Sequence, residues 1–152
     1  MSIDLTHTFE SCLRKQILTK KIFEACITPE EKYQKIIELG KNLPPYPSMN
    51  KTPEYLVKGC QSTMYLLSYF QETKMYFEVY SEALISAGLA ALLLLVYQEE
   101  SPEVILKCPP LFLEEIGLYT ALSPSRSNGL SSLFLRMKQE ALKSLTQKNK
   151  LI

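Results

Sequence analysis

The sequence predicts an α+β fold, with a small antiparallel sheet of about three strands flanked by helices, in a single domain spanning residues 1–152. Three observations point there. Period-two alternation is confined to the middle of the chain, where Met75, Phe77 and Val79 oppose Lys74, Tyr76, Glu78 and Tyr80. Apolar residues at three- and four-residue spacing dominate both ends. Between them, the run from Ala83 to Tyr97 is apolar on nearly every side, as expected of a helix covered by other elements at the centre of a domain. A chain of 152 residues buries roughly two-thirds of its unfolded surface, so one core suffices.

Taken in order, Phe9, Leu13, Ile17, Ile22 and Phe23 predict a helix between Thr8 and Cys26, with an interruption around Thr19 to Lys21. A second helix follows. Thr28 can cap it, Pro29 suits its first position, Glu31 completes a capping box and Gly40 is expected to end it, with Tyr33, Ile36 and Ile37 on its buried face. Lys41 to Pro53 contains four prolines and reads as an irregular surface loop. Tyr55 to Lys58 is expected to be extended and to supply a third strand. Thr63 to Phe70 and Lys74 to Tyr80 form a hairpin around Gln71 to Thr73, a turn without the usual glycine. Ser101 and Pro102 open a short helix that Pro109 and Pro110 end, and another short helical piece covers Leu111 to Tyr119. The last helix carries Leu130, Leu133, Phe134, Met137, Ala141 and Leu145 on one side, with Lys138, Lys143 and Lys148 turned away.

Composition excludes several function classes. The formal net charge is +1 with the two signs interspersed, so no broad basic face attracts nucleic acid. Cys12, Cys26, Cys60 and Cys108 lie far apart without a C-x-x-C pair, which argues against a zinc ribbon and a thioredoxin-type redox pair and fits a reducing, cytoplasmic setting. Met1 to Glu10 is too polar for an export signal, and the Ala83 to Tyr97 run, broken by Ser86 and Gly88, is too short for a membrane span. A Cys-His hydrolase is disfavoured because His7, near a polar terminus, is the one histidine.

Gly59-Cys60-Gln61-Ser62 places a lone thiol at the corner between two extended segments, where another molecule can reach it. A reactive thiol needs access and a nearby positive charge or helix N-terminus. Lys58 is one source of charge, since residues two apart on extended backbone share a face. Gly59 leaves room for a partner to approach. Against this stands the plain reading of Cys60 as a small space-filling thiol. Arg126, in the stretch from Leu122 to Gly129 before the last helix, is unusual near a helix N-terminus, which favours anions. It either ties the loop to the core or holds an anionic sulfur species or a partner's carboxylate.

These residues carry a resemblance. The Gly59-Cys60-Gln61-Ser62 tetrad, an aromatic at Tyr65, the strand pair, the small-residue-rich helix from Glu82, and Ser123-Pro124-Ser125-Arg126-Ser127-Asn128-Gly129-Leu130 resemble the SufE family of sulfur acceptors in order and spacing, most strongly over residues 26–145. The resemblance implies a SufE/NifU-like fold. It also implies that Cys60 accepts sulfane sulfur from a SufS-type cysteine desulfurase and passes it to a SufBCD-type cluster scaffold, with no cofactor on this chain, since pyridoxal phosphate belongs to the desulfurase. Gly59, Gln61, Glu82 and Arg126 fall at supporting or partner-binding positions. The chain departs from the family pattern at Lys58, at Met64-Tyr65, and at Thr120-Ala121, where a histidine is frequent. A docking module that regulates a desulfurase without accepting sulfur is the alternative. Tyr65, Tyr69 and Phe70 are expected either to line a recess around the persulfide or, as strand aromatics, to be ordinary core.

Overall fold

The computed structural model describes the backbone of residues 5–150 and the side chains of residues 9–147. The side chains of His7 and Lys148 therefore lie outside the described residues. The element at the centre is α3, Leu84–Tyr97, the apolar run picked out by its lack of a polar side. Leu92, Leu93, Val96 and Tyr97 are fully buried within it. Other elements cover it as its composition demands: α1, Leu5–Phe23, α2, Pro29–Lys41, and α7, Pro124–Lys150, all pack against it.

Helix α2 begins as its capping box dictates, with Glu31 N donating to Thr28 Oγ1 at 3.2 Å and the Glu31 carboxylate accepting from the Thr28 N–H at 3.4 Å. Its end differs from expectation. Gly40 lies inside the helix and Asn42 is the C-cap. The glycine serves a helix crossing instead: a Cβ at Gly40 would stand 2.6 Å from Gly88 N, and one at Gly88 would stand 2.0 Å from Ile36 O. Helix α1 runs without the interruption expected at Thr19 to Lys21. Thr19 is buried and returns its hydroxyl to Lys15 O at 2.8 Å, which removes the polar cost of that position. Buried Glu100 ties α1 to the end of α3, accepting from Lys15 Nζ at 2.7 Å and from Ser11 Oγ at 2.9 Å.

The hairpin pairs β1, Met64–Gln71, with β2, Lys74–Ser81, in the register Met64 to Ser81 through Gln71 to Lys74. Met64, Leu66, Met75, Phe77 and Val79 point into the core, as alternation requires. Among the described residues the sheet has two strands, not three. Tyr55 closes a 3-10 turn, Pro53–Tyr55, and beyond it only Leu56 bridges to Tyr65, with Val57 N donating to Met64 O at 2.9 Å. Side chains and loop backbone take the place of further strands. Arg136 donates to Leu56 O and Glu54 O, each at 2.9 Å, and the Gln98 side-chain amide bonds both backbone groups of Phe77 at 2.7 and 2.8 Å. Met75 exchanges backbone hydrogen bonds with Glu99 and Glu100.

After α3 come three short helices. Ser101 caps α4, Pro102–Lys107, accepting from Val104 N at 3.3 Å. The region expected as one short helix is two, α5, Phe112–Glu115, and α6, Leu118–Ala121, separated by Gly117 at φ +74°. Helix α7 starts at Pro124, earlier than the sequence suggests, because Ser123 accepts from Arg126 N through its hydroxyl and from Ser127 N through its carbonyl. Arg126 and Gly129 therefore belong to the helix and not to a loop before it. Among the described residues no helix is long and apolar enough to cross a membrane.

Candidate functional site

Cys60 stands half-buried where the segment after the proline-rich loop turns toward β1. Lys58 and Gly59 form a turn, and Gly59 has φ +90°, a conformation that glycine adopts at no steric cost. The backbone is thus not extended between Lys58 and Cys60, and the shared face expected for them does not exist. Burial pushes the Cys60 thiol up from its ordinary value. Its Sγ lies 3.6 Å from Gly129 O, so the protonated thiol donates a weak hydrogen bond to the second turn of α7.

The thiol faces a cavity of about 580 Å3 between α2, the start of α3 and the start of α7. Ile37, Met64, Leu84, Ile85, Leu89, Leu130 and Leu133 supply apolar wall, and Gln61, Ser62, Ser123, Ser125 and Arg126 supply polar lining. Arg126 is exposed, and among the described residues its guanidinium makes no hydrogen bond or ion pair. The structural tie that would have explained this arginine is absent from the described contacts. An unengaged cation lining the same cavity as a half-buried thiol suits a sulfur species carrying negative charge there.

The sequence-derived residues are partly assembled here. Cys60, Gln61 and Arg126 share the cavity, whereas Gly59 and Glu82 stand outside its lining. Glu82 is exposed just before α3 and accepts from Thr63 N at 3.4 Å, joining the two ends of the hairpin. The recess expected from Tyr65, Tyr69 and Phe70 is not formed by them. Tyr65 sits on the sheet's outer face with Tyr46 and Tyr80, ring centroids 6.2 to 6.3 Å apart, and Tyr69 stacks on Tyr76 at 5.4 Å. Residue parity carries the signal: in β1, Tyr65 and Tyr69 alternate with the inward Met64 and Leu66. Sequence reasoning missed Ile37, Leu84 and Leu130, whose apolar character marks them only as core.

Residues 18–141 match the sequence model of the SufE family, an Fe-S metabolism associated domain. The chain belongs to the SufE family. It is 37% identical over 123 residues to SufE-like protein 1, chloroplastic/mitochondrial, of Arabidopsis thaliana, a match covering 80% of this chain and 33% of that protein. This chain therefore spans about a third of that relative. An uncharacterized SufE-like protein of Rhizobium meliloti is 37% identical over 117 residues, 74% of this chain and 84% of its own length. Another from Synechocystis is 31% identical over 120 residues, covering 79% and 76%. Among solved structures, the solution structure of a hypothetical protein from Thermus thermophilus superposes with a TM-score of 0.70 at 25% identity, over 90% of this chain and 96% of that one. The SufE assignment associates the protein with iron–sulfur metabolism.

Proposed function

We propose that this SufE family member carries sulfur as a persulfide on Cys60. It accepts sulfane sulfur from a SufS-type cysteine desulfurase, raises that enzyme's turnover and passes the sulfur to a SufBCD-type scaffold for iron–sulfur cluster assembly, in the cytoplasm. The observation that supports this most is the placement of Cys60, half-buried against an apolar-walled cavity with the unengaged Arg126 at its lining. The Cys60 thiolate attacks the outer sulfur of the donor persulfide, the donor's S–S bond breaks, and the donor cysteine leaves as thiolate and takes up the proton that Cys60 gave up. The new S–S bond is then on Cys60. The cavity keeps the terminal sulfur from small thiols, and Arg126 offsets its charge. Exposed Glu82 presents a negative charge to the partner beside the site. The pyridoxal phosphate of the donor reaction belongs to the desulfurase.

One observation favours a second reading. The Cys60 thiol, raised by burial, is a poor nucleophile at rest, as in a module that regulates a desulfurase by docking alone. Turnover of the desulfurase with free cysteine separates the two. Under the carrier reading Cys60→Ser abolishes the stimulation, substitution of Cys12, Cys26 or Cys108 leaves it, and Glu82→Arg weakens it by reversing a contact charge. Full stimulation by Cys60→Ser would install the docking reading instead.

A further inference from the structure

We propose that Arg136 is a positioning residue for Cys60: it anchors the segment that delivers the thiol, so that the Cys60 corner alone is free to lift from α7. This deepens the carrier reading and rests on it for its purpose. Residues 54–60 run antiparallel along one face of α7, touching it at three points. At the thiol end, Cys60 Sγ lies 3.6 Å from Gly129 O. In the middle, Gly59 lies so close to Ser132 that a Cβ there would stand 2.4 Å from its hydroxyl oxygen. At the far end, Arg136 Nη1 donates to Leu56 O and Nη2 to Glu54 O, each at 2.9 Å. Residues 129, 132 and 136 are spaced three and four apart, so they face the same way.

The two ends differ in strength. An S–H donor to a carbonyl is weak, whereas a guanidinium fork on two carbonyls is charge-assisted and fixed in geometry. The fork is itself held in place. Arg136 Nε donates to Glu140 Oε1 at 3.1 Å, and Glu140 Oε2 accepts from Ser68 Oγ on β1 at 3.0 Å. Val57 N bonds Met64 O just beyond the fork, and Gly59 at φ +90° lies between the anchored and the weakly held parts. Detaching Cys60 therefore costs one weak hydrogen bond and the packing of a half-buried thiol against the core, with no charged contact to break among the described residues. Without the fork, residues 54–60 lose their strongest hold on α7, and the thiol is wetted even at rest.

Alkylation of Cys60 by iodoacetamide across pH tests this on the purified protein alone, with peptide mass spectrometry counting Cys60 separately from Cys26. In wild type the Cys60 reaction is expected to be slow at neutral pH, since burial raises the thiol above its ordinary value. Arg136→Ala is expected to move the titration toward the ordinary value, with the neutral-pH rate rising about tenfold for each pH unit recovered. Arg136→Lys, which keeps the charge but not the fork, falls between. Lys138→Ala, removing a positive charge from the same helix where it lies over the Phe134 ring, outside the groove that Glu54, Tyr55 and Arg136 line, leaves the profile where it was. Thermal unfolding checks that each variant is folded. An unmoved Cys60 profile in folded Arg136→Ala overturns the proposal, as does an equal shift in Lys138→Ala. If Arg136→Ala does not fold, Glu140→Gln, which loosens the fork, takes its place: a smaller shift in the same direction is expected, and no shift overturns the proposal. No desulfurase enters this assay, so its failure removes the anchor and leaves the carrier reading standing, while a Cys60 that never gains sulfur in a transfer assay removes the carrier reading and leaves the anchor.

Discussion

A methyl group at residue 59 would stand 2.4 Å from the Ser132 hydroxyl oxygen, on backbone with φ of +90°. Gly59→Ala is therefore expected to cost about 1–3 kcal/mol, part from the backbone and part from displacing α7 or the thiol corner. Urea unfolding measures it. Ser132→Ala should recover some of the clash but none of the backbone strain, whereas a Gly59→Ala variant as stable as wild type would show that this approach is looser than described. Cys60 and Gln61, which line the cavity, stood out in the sequence because a glycine beside a lone thiol between two patterned segments is an uncommon local arrangement. Arg126 was legible as an anomaly, a cation where a helix start favours anions. Arg136 gave no such signal, since its partners Glu54 and Leu56 are about eighty residues away in sequence and are carbonyls, which every residue has. The supposed help from Lys58 failed for a local reason: the parity argument assumes extended backbone, and residues 58 and 59 turn.

The β1–β2 hairpin turns on Glu72 and Thr73, both at positive φ, 51° and 73°. Two positive-φ residues between strands form the turn that ordinarily carries Asn-Gly, and a β-branched threonine is poorly suited to it. Replacing Glu72 with Asn and Thr73 with Gly should raise stability by about 1 kcal/mol, seen as a higher urea midpoint with unchanged slope. A lower midpoint would mean that Glu72 or Thr73 contributes contacts the turn needs. The hairpin and the central helix were readable from period alone, because burial on one side or on all sides leaves a periodic trace. Strand number was not. An extended pattern at Tyr55 to Lys58 says nothing about what satisfies its carbonyls, and here an arginine side chain does. The second helix shows the same limit: Gly40 reads as a helix end by itself, and only the facing Gly88, forty-eight residues later, reveals a close helix crossing.

Across the whole molecule, buried and half-buried ionisable groups make stability sensitive to alkali. Cys12 is pushed up to about 12, chiefly by burial and next by the hydrogen bond and charge of Cys108, and Tyr46 is pushed up to about 12 by burial. Burial also raises Tyr97, whose hydroxyl donates to Cys108 O at 2.6 Å. For Cys12 the folded value exceeds the unfolded one, so its stability is fully present below the unfolded thiol range, about 8.5, and is lost as pH rises toward about 12. The melting temperature should fall steadily above about pH 9, less so in Cys12→Val, and a flat profile there would contradict the buried, protonated description. The fold class was legible as a whole because segments of helical and strand period stand apart along the chain. The cavity was not, because its walls come from α2, β1, α3 and α7 and each wall residue reads alone as core. The central claim is that Cys60 carries sulfur, and the mass of the intact protein tests it most directly. After incubation with its cognate desulfurase, pyridoxal phosphate and free cysteine under non-reducing conditions, wild type should gain the mass of one sulfur atom and Cys60→Ser none; equal gain by Cys60→Ser, or no gain by wild type while turnover still rises, would contradict it.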